Sequence, residues 1–463
     1  MQHGIIFGVP VANPKFSSMT RFNTALWAGP VLCLMMTACG NNNPRPSDHT
    51  DAASVVETAA GTDSLPAPFA TKSVTKSSRI VGWKDGRQPT APAGFVVTRF
   101  ADSLEHPRWI YQAPDGDVFV AESGTVLSGV KKLGAKFSKK AKAQRAGESA
   151  DRITLFRDSN NDGVFDSRFV FAEDLNQPLG MLILKNKFYI ANTDGIRIYD
   201  YRAGMTALAD TGKQILSLPA GGYNNHWTRN LISNADGSKI YVSVGSGSNV
   251  AEHGMQNEIR RANILEINPD GSGEKIYASG LRNPVGMDWA PGTNTLWTAV
   301  NERDELGDDL VPDYITGVKP GGFYGWPYSY FGNHPDPRMK DDPQPELVSK
   351  TIVPDVALGA HTASLGLAFY DKQAFPEKYR SGAFVGQHGS WNRSEISGYK
   401  VVFVPFRKGK PAGKPEDFLT GFILDQEKAE VGGRPAGVTV TRQGDLLVAD
   451  DVSNVIWKIS AVK

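Results

Sequence analysis

Short apolar runs recur along the chain from about Ser78 to its C-terminus. Each unit follows a loop that ends in a small residue or proline, and a turn separates its first run from a second run of alternating apolar residues. This pattern predicts pairs of short β-strands rather than helices. The six units begin at Pro107, Pro178, Arg229, Pro284, Ser364 and Pro435.

Six copies of one strand–turn–strand unit, spaced by about 50 to 80 residues, predict an all-β fold, a six-bladed β-propeller over residues 78–463. A single blade cannot bury both of its faces, so neighbouring blades must stack in a ring. A β-sandwich also contains repeated strand pairs, but six copies of the same unit favour the propeller.

Propeller geometry predicts a shared site, because the loop before each innermost strand opens onto the central axis. These loops carry polar and cationic residues, which predict a funnel for a small anionic ligand. The converging pairs are Pro107 and Arg108, Asn176 and Gln177, Asn225 and His226, Arg282 and Asn283, His361 and Thr362, and Gly433 and Arg434.

Composition adds two constraints. The chain has 48 glycines and 29 prolines, as expected of a fold with many turns, and its formal net charge of +1 gives no indication of nucleic acid as a partner. No glycine-rich phosphate loop opens a helix, so a nucleotide cofactor is not expected.

Residues 1–39 are expected to be a signal peptide, because an apolar run after Arg21 is too short to span a bilayer well and ends in Thr37-Ala38-Cys39. Ala38-Cys39 resembles the processing box of bacterial lipoproteins, in which the cysteine is lipidated. The expected location is therefore the bacterial cell envelope, facing the periplasm, with Gly40 indicating the outer membrane. The alternative is an ordinary cleaved signal with an incidental cysteine. The chain's other cysteine, Cys33, lies inside the segment expected to be removed, and Cys39 would carry the lipid. The mature domain is therefore expected to have no disulfide.

Residues 40–77 are rich in Asn, Pro, Ser, Thr and Ala and are expected to be a flexible tether. A second polar segment, the lysine-rich insertion between Lys131 and Arg145, is either a solvated loop or a contact for anionic lipid headgroups.

Four motifs carry a resemblance over the whole domain. They are Gly280-Leu281-Arg282-Asn283-Pro284-Val285-Gly286, Gly322-Phe323-Tyr324-Gly325-Trp326-Pro327, Gly245-Ser246-Gly247-Ser248-Asn249 and His388-Gly389-Ser390-Trp391-Asn392-Arg393. Their order and spacing resemble the soluble glucose/sorbosone dehydrogenases that depend on pyrroloquinoline quinone (PQQ), and most closely the sorbosone dehydrogenase branch.

The resemblance implies PQQ and Ca²⁺ as cofactors and assigns roles to several residues. Arg282 and Asn283 would contact the quinone oxygens, where a guanidinium stabilises developing negative charge. Arg434 would pair with a PQQ carboxylate, and Gln177 would lie near the cofactor. His226 falls where the family carries its general base, which takes the substrate hydroxyl proton.

Other assignments leave alternatives open. Tyr324 and Trp326 either wall the substrate cleft or serve packing. Arg303 and Asp304 align with the family's calcium site, where backbone carbonyls bind the ion. Separately, one loop carries carboxylate and amide side chains in the spacing of the first half of a calcium-binding loop. Its three candidate ligands are Asp158, Asn160 and Asp162. A turn that binds no metal is the alternative.

The chain departs from the glucose-oxidising members at three places. Asn225 and Ser246 stand where those members carry aspartates, so orientation of the His226 ring is expected to suffer. A cofactor-binding lysine is also missing, with His388 or Arg393 as the nearest replacements.

The sequence thus predicts a PQQ- and calcium-dependent oxidoreductase. It would oxidise a sugar or sugar-derived aldehyde by hydride transfer and pass electrons to a quinone or cytochrome acceptor, while attached to the membrane by its lipid anchor. A calcium-dependent propeller lactonase is the alternative enzyme. A non-catalytic propeller that binds a ligand or protein is the third possibility.

Overall fold

A computed structural model describes residues 53–126, 143, 147, 149–160 and 162–462. The structure is all-β, as predicted, with short helical turns at Pro345–Val348 (α), Met255–Asn257, Pro337–Met339 and Glu377–Tyr379 (3₁₀). Among these residues no helix has the length and apolar character needed to cross a membrane.

Six antiparallel sheets of four main strands make up the domain, and we number them I to VI from the predicted units. Sheet I contains Pro107–Gln112, Val118–Glu122, Arg152–Arg157 and Ser167–Ala172. Sheet II contains Met181–Leu184, Lys187–Asn192, Gly195–Asp200 and Lys213–Ser217. Sheet III contains Arg229–Ser233, Ile240–Val244, Asn263–Ile267 and Lys275–Ser279, with Gly322–Phe323 added in parallel at its edge.

The later sheets follow the same order. Sheet IV contains Pro284–Trp289, Leu296–Val300, Pro312–Gly317 and Val356–Ala360. Sheet V contains Ser364–Tyr370, Gly382–Gln387, Lys400–Arg407 and Glu416–Leu419, with Lys410–Pro411 paired to its third strand. Sheet VI contains Pro435–Val440, Leu446–Asp450, Val455–Ala461 and, from the other end of the chain, Phe95–Ala101.

Glycines in the first strands let neighbouring sheets approach closely. A Cβ atom on Gly366 of sheet V would lie 2.3 Å from the carbonyl oxygen of Ala436 in sheet VI. One on Gly437 of sheet VI would lie 2.6 Å from the carbonyl oxygen of Arg108 in sheet I. Any side chain here would force the two backbones apart. Gly180 and Gly286 face sheets III and V in the same way.

The neighbour relations run from sheet I through sheet VI and back to sheet I. First strands contact one another from sheet II through sheet VI and again between sheets VI and I. Sheets I and II share an aromatic core, in which the rings of Phe119 and Phe188 lie 5.0 Å apart. Because Phe95–Ala101 completes sheet VI, the start and the end of the domain are joined by backbone hydrogen bonds.

Part of the segment expected to be a tether is folded. Ser54–Thr58 and Gly61–Leu65 form a hairpin, and Leu65 is only 1% exposed. The Phe69 amide donates a hydrogen bond to the Leu306 carbonyl at 2.8 Å. Val56, Leu65 and Phe69 join the core beneath sheet IV, so burial of these few apolar residues replaces the expected tether here.

Short strands complete the described fold: Arg79–Ile80 pairs with Glu430–Val431, which pairs with Ile423–Asp425, and Ser329–Tyr330 pairs with His334–Pro335. The signal segment with Cys39, and the lysine-rich positions 131, 132, 136, 139, 140, 142 and 145, lie outside the described residues.

Candidate active site

A cavity of about 1220 Å³, here called the axial pocket, lies at one end of the first strands. Two sets of loops line it, those before a first strand and those after a second strand. The first set supplies Gln177, Asn225, His226, Arg282, Asn283, His361 and Arg434. The second set supplies Gly124, Asn249, Asn301, His388 and Asp451. The structure therefore brings together residues that are far apart in the sequence.

The lining is less cationic than expected. Among the described residues it holds four arginines and four carboxylates: Arg108, Arg282, Arg338, Arg434, Glu252, Asp304, Glu305 and Asp451. The prediction of a cationic funnel considered only the loops before the first strands, whereas Asp304 and Asp451 follow second strands. Glu252 and Glu305 are exposed, so the less exposed lining keeps four arginines against two carboxylates.

His226 has an orienting partner despite the missing aspartates. Its Nδ1 lies 2.8 Å from the Ser246 carbonyl oxygen and 3.0 Å from the Ser246 hydroxyl oxygen. A carbonyl only accepts, so Nδ1 carries the proton and donates it. In the neutral ring, the other nitrogen, Nε2, then carries no hydrogen, and its lone pair can accept a proton in the pocket. Ser246, where the family pattern has a carboxylate, thus fixes the ring through its main chain.

The electrostatic surroundings keep the His226 ring neutral. Burial and then the Arg282 guanidinium lower the pKa of His226 to about 3, although the hydrogen bond to Ser246 opposes them. A neutral imidazole is the form that can accept a proton.

Arg282 is buried and held by main-chain oxygens. Its Nε donates to Asn249 O at 3.1 Å and its Nη1 to Glu302 O at 2.6 Å. Its Nη2 donates to Asn249 Oδ1 at 2.9 Å and lies 3.5 Å from Asp304 Oδ2. Most of its hydrogens are therefore used within the protein, and what Arg282 offers a ligand is a fixed positive charge.

Two asparagine side chains leave buried oxygens without a partner. Asn283 and Asn392 both line the axial pocket, and neither Oδ1 atom accepts a hydrogen bond. Nδ2 of Asn392 donates to Asp304 Oδ1 at 2.8 Å, which turns its oxygen away from that carboxylate. Unpaired buried oxygens are costly, so they indicate places where a ligand or ion completes the site.

Asp304 forms a second acid–base group with His361. The His361 Nδ1 lies 3.5 Å from Asp304 Oδ1, while its Nε2 donates to Gly307 O at 2.8 Å. Burial lowers the pKa of His361, but the hydrogen bond and charge of Asp304 outweigh burial and raise it overall.

A third group lies around Asp451. Asp451 accepts from His388 Nε2 at 2.8 Å and from Arg108 Nη1 at 2.5 Å. Burial raises the pKa of Asp451, but His388 and Arg108 outweigh it and hold that pKa far below its usual range. Arg434 lies behind them, donating to His388 O at 2.8 Å and Gly389 O at 2.7 Å. Where the family lysine is missing, His388 does line the pocket; Arg393 does not.

Tyr324 and Trp326 do not line the pocket. The Tyr324 hydroxyl donates to Gly317 O at 2.9 Å, and Trp326 Nε1 donates to Asn249 O at 2.9 Å. Both side chains are buried, which favours the packing alternative for these aromatics.

The two residues aligned with the family calcium site differ in position. Asp304 lines the pocket, whereas the Arg303 side chain is fully buried beneath it, in ion pairs with Glu302 and Asp336. The main-chain oxygen of Asp304 accepts from Arg338 at 2.8 Å. In the described part of the chain, no three His, Cys, Asp or Glu side chains form a ready-made metal cluster.

Gln177 lines the pocket, as the alignment suggested, and its Nε2 donates to Gly124 O at 2.8 Å. The candidate calcium loop lies elsewhere, in the exposed hairpin between the last two strands of sheet I. There Asp158 accepts from the amides of Asp162 (3.2 Å) and Gly163 (2.8 Å), and Asn160 accepts from the Asp162 amide at 3.0 Å. Metal binding at this loop stays a prediction.

Sequence reasoning gave no role to three residues that organise the site. Asn249 binds both Arg282 and the Asp304 amide, Asn392 contacts Asp304, and Asp451 joins Arg108 to His388. Asn249 and Asn392 belong to the motifs quoted for the resemblance, which was the available signal. Asp451 follows Asp450 at the end of a strand and carried no comparable signal.

The donor set fits PQQ with calcium. Fixed guanidinium groups suit its carboxylates, and the free Asn283 and Asn392 oxygens with the Asp304 carboxylate offer a hard cation the oxygen ligands it prefers. The pocket also exceeds the usual 300–1,000 Å³ or so of a small-molecule site, leaving room for a second ligand.

Comparison with known proteins agrees with this architecture. Residues 88–390 match the family described as "Domain of unknown function (DUF7133)", and residues 333–462 match one described as "TrAA12-like". An uncharacterized protein of Borreliella burgdorferi is 29% identical over 379 residues, covering 80% of this chain and 89% of that protein.

Two further proteins are named for an activity. The aldose sugar dehydrogenase of Escherichia coli is 31% identical over 120 residues, which are 26% of this chain and 30% of that protein. The holo form of the PQQ domain of Coprinopsis cinerea pyranose dehydrogenase superposes with a TM-score of 0.63 at 19% identity, covering 82% of this chain and 99% of that domain. The superposition shows a shared fold, and the homologues include PQQ-dependent sugar dehydrogenases.

Proposed function

This chain belongs to the DUF7133 family, and from its axial pocket we propose that it is a PQQ- and calcium-dependent dehydrogenase of sugars or sugar-derived aldehydes, of the aldose or sorbosone kind. The observation that carries the proposal is His226, a neutral ring with its proton fixed on Nδ1, in one pocket with Arg282, Asn283 and Arg434. The PQQ-dependent homologues support the same chemistry.

The cofactor would be held by charge and by unpaired oxygens. Arg108 and Arg434 lie on one side of the pocket lining and would face its carboxylates. Arg282 and Asn283 would lie by its quinone oxygens. Asp304, with main-chain oxygens of its loop, would bind calcium, and Asn392 would complete the ion's oxygen ligands.

When bound, the quinone would accept the hydride that leaves the substrate carbon. His226 Nε2 accepts the proton of the substrate hydroxyl, while the Ser246 carbonyl keeps the ring oriented. The positive charge of Arg282 stabilises negative charge that develops in the pocket, and its hydrogen bonds to Asn249 and Glu302 keep it in place during the reaction.

The alternatives have less support. A calcium-dependent lactonase needs several carboxylates around one ion, and the described residues hold no such cluster. A purely binding propeller gives no reason for the fixed tautomer of His226.

Six sheets whose neighbour relations close on themselves support a six-bladed propeller. We further propose export to the cell envelope and lipidation at Cys39, from the signal-like segment alone, with a membrane quinone or a cytochrome as electron acceptor.

Reconstitution tests the proposed activity. Protein loaded with PQQ and calcium should reduce a redox dye in the presence of a sugar or an aldehyde from a screened panel. His226→Ala should bind PQQ almost as well and lose about 10²–10⁴-fold in turnover, the usual contribution of a general base. Lactone hydrolysis without PQQ would indicate the hydrolase instead, and full activity of His226→Ala would remove the base.

A further inference from the structure

Arg229 is a fully buried arginine three residues after His226, at the start of sheet III. Within the described residues, its guanidinium hydrogen bonds go to main-chain and amide oxygens, and none goes to a carboxylate. Burying a guanidinium group without a carboxylate partner costs free energy, so we expect Arg229 to have a role in this part of the fold.

The Arg229 guanidinium ties together the loop of residues 219–228. Nη1 donates to His226 O at 2.7 Å and to Thr228 O at 2.8 Å. Nη2 donates to Pro219 O at 2.7 Å and to Asn224 Oδ1 at 3.2 Å. One rigid, planar group thus joins the start, middle and end of the loop that carries His226.

A second buried arginine strengthens the positive charge under this loop. Arg261 donates to the same Asn224 Oδ1 at 2.6 Å, and the Nε atoms of both arginines lack a partner. The nearby Glu258 carboxylate accepts from the Gly247 amide at 2.7 Å and raises the pKa of Arg261, but burial outweighs it. Two guanidinium groups thus lie near one carboxylate under this loop.

We propose that Arg229 is the positioning residue of the candidate base: its hydrogen bonds to the His226 and Thr228 carbonyl oxygens hold the loop that carries the His226 ring. This inference rests on the proposed function only for the catalytic meaning of His226. Its structural content can be measured without the cofactor.

Charged and polar groups face the His226 ring from several elements. Ser246, just after the second strand of sheet III, accepts a hydrogen bond from Nδ1 through its carbonyl oxygen, and Arg282 lies in the loop before sheet IV. Arg229 and Arg282 lower the pKa of His226 and Asp304 raises it, while burial is the largest cause of its depression.

The test compares three variants of the full chain. Arg229→Lys keeps the charge but cannot reach all four oxygens, and Arg229→Met removes charge and donors together. Arg260→Lys is the matched control, because Arg260 pairs with Glu274 and does not line the pocket. NMR of histidine-labelled, cofactor-free protein reports the tautomer of His226, whose signal is identified by its loss in His226→Ala.

Both Arg229→Met and Arg229→Lys should populate the two tautomers of His226, because neither side chain can hold all four oxygens of the loop. In reconstituted protein, Arg229→Lys should lose roughly tenfold in kcat with little change in KM, since a misplaced catalytic group slows the chemical step. Arg260→Lys should match the wild type in every measurement.

A wild-type tautomer and kcat in Arg229→Lys would overturn the proposal, and this holds even if Arg229→Met does not fold. If the NMR changes occur but His226→Ala is fully active, the positioning role stands and the proposed function fails. If His226→Ala is inactive and both Arg229 variants behave as wild type, the proposed function stands and the positioning role of Arg229 fails.

Discussion

Gly245 shows how one residue controls the spacing of the site. A Cβ atom at this position would lie 2.3 Å from Asn283 Oδ1 and 2.6 Å from the His226 Cβ. Both side chains line the axial pocket, so the absence of a side chain at Gly245 is what lets them lie side by side. The sequence motif around Gly245 thus has a steric reason that its composition does not reveal.

Gly245→Ala should therefore damage the site more than the fold. The added methyl group must displace Asn283 or the His226 ring, and a shift of about 1 Å can cost 10²-fold in rate. Turnover of the reconstituted protein and its melting temperature measure the two effects. Gly221→Ala is the control, since nothing lies within 4 Å of a Cβ atom there. Equal turnover in the two variants would contradict this steric account.

The hairpin near the start of the described chain shows how an element can escape a prediction from composition. Ser54–Thr58 and Gly61–Leu65 are mostly polar, and only a few of their apolar side chains reach the core. The segment as a whole is poor in large apolar residues, so a tether was expected. A polar hairpin needs an existing surface to pack on, and that surface belongs to distant residues.

Leu65→Ala tests whether this hairpin contributes to stability. Removing a buried leucine side chain should lower the free energy of unfolding by about 2–5 kcal/mol. Val55→Ala is the matched control on the partner strand, because Val55 is 70% exposed. Thermal or denaturant unfolding gives both values. Similar, near-zero effects of the two substitutions would mean that the segment is a tether after all.

Residues before the first strands could be predicted as neighbours because repeated strand starts indicate where each loop points. Arg282 and His226 were found in this way. Residues after the second strands could not be predicted as neighbours in this way, because Asn249 and Asp451 contact residues from other sheets. The first two strands of each sheet were predicted from their alternation, whereas the pairing of Phe95–Ala101 with Val455–Ala461 depends on contacts across the whole chain.

At the scale of the whole molecule, the proposed signal segment and lipid anchor would place the domain at the cell envelope. Cys39→Ser should move the protein from the membrane fraction to the soluble fraction, because a serine cannot carry the proposed lipid. Fractionation followed by mass spectrometry of the N-terminus measures this. A soluble wild-type protein that begins at another residue would leave Cys39 without a role.

The axial pocket, lined by loops of all six sheets, is proposed to bind PQQ through calcium. The most direct measurement is a titration of the cofactor-free protein with PQQ, followed by absorbance, with calcium and again with an excess of a strong chelator. We predict saturation near one PQQ per chain with calcium and affinity at least about tenfold weaker with the chelator, since the ion is expected to bridge cofactor and protein. No saturable binding, or the same affinity in both conditions, would contradict the account.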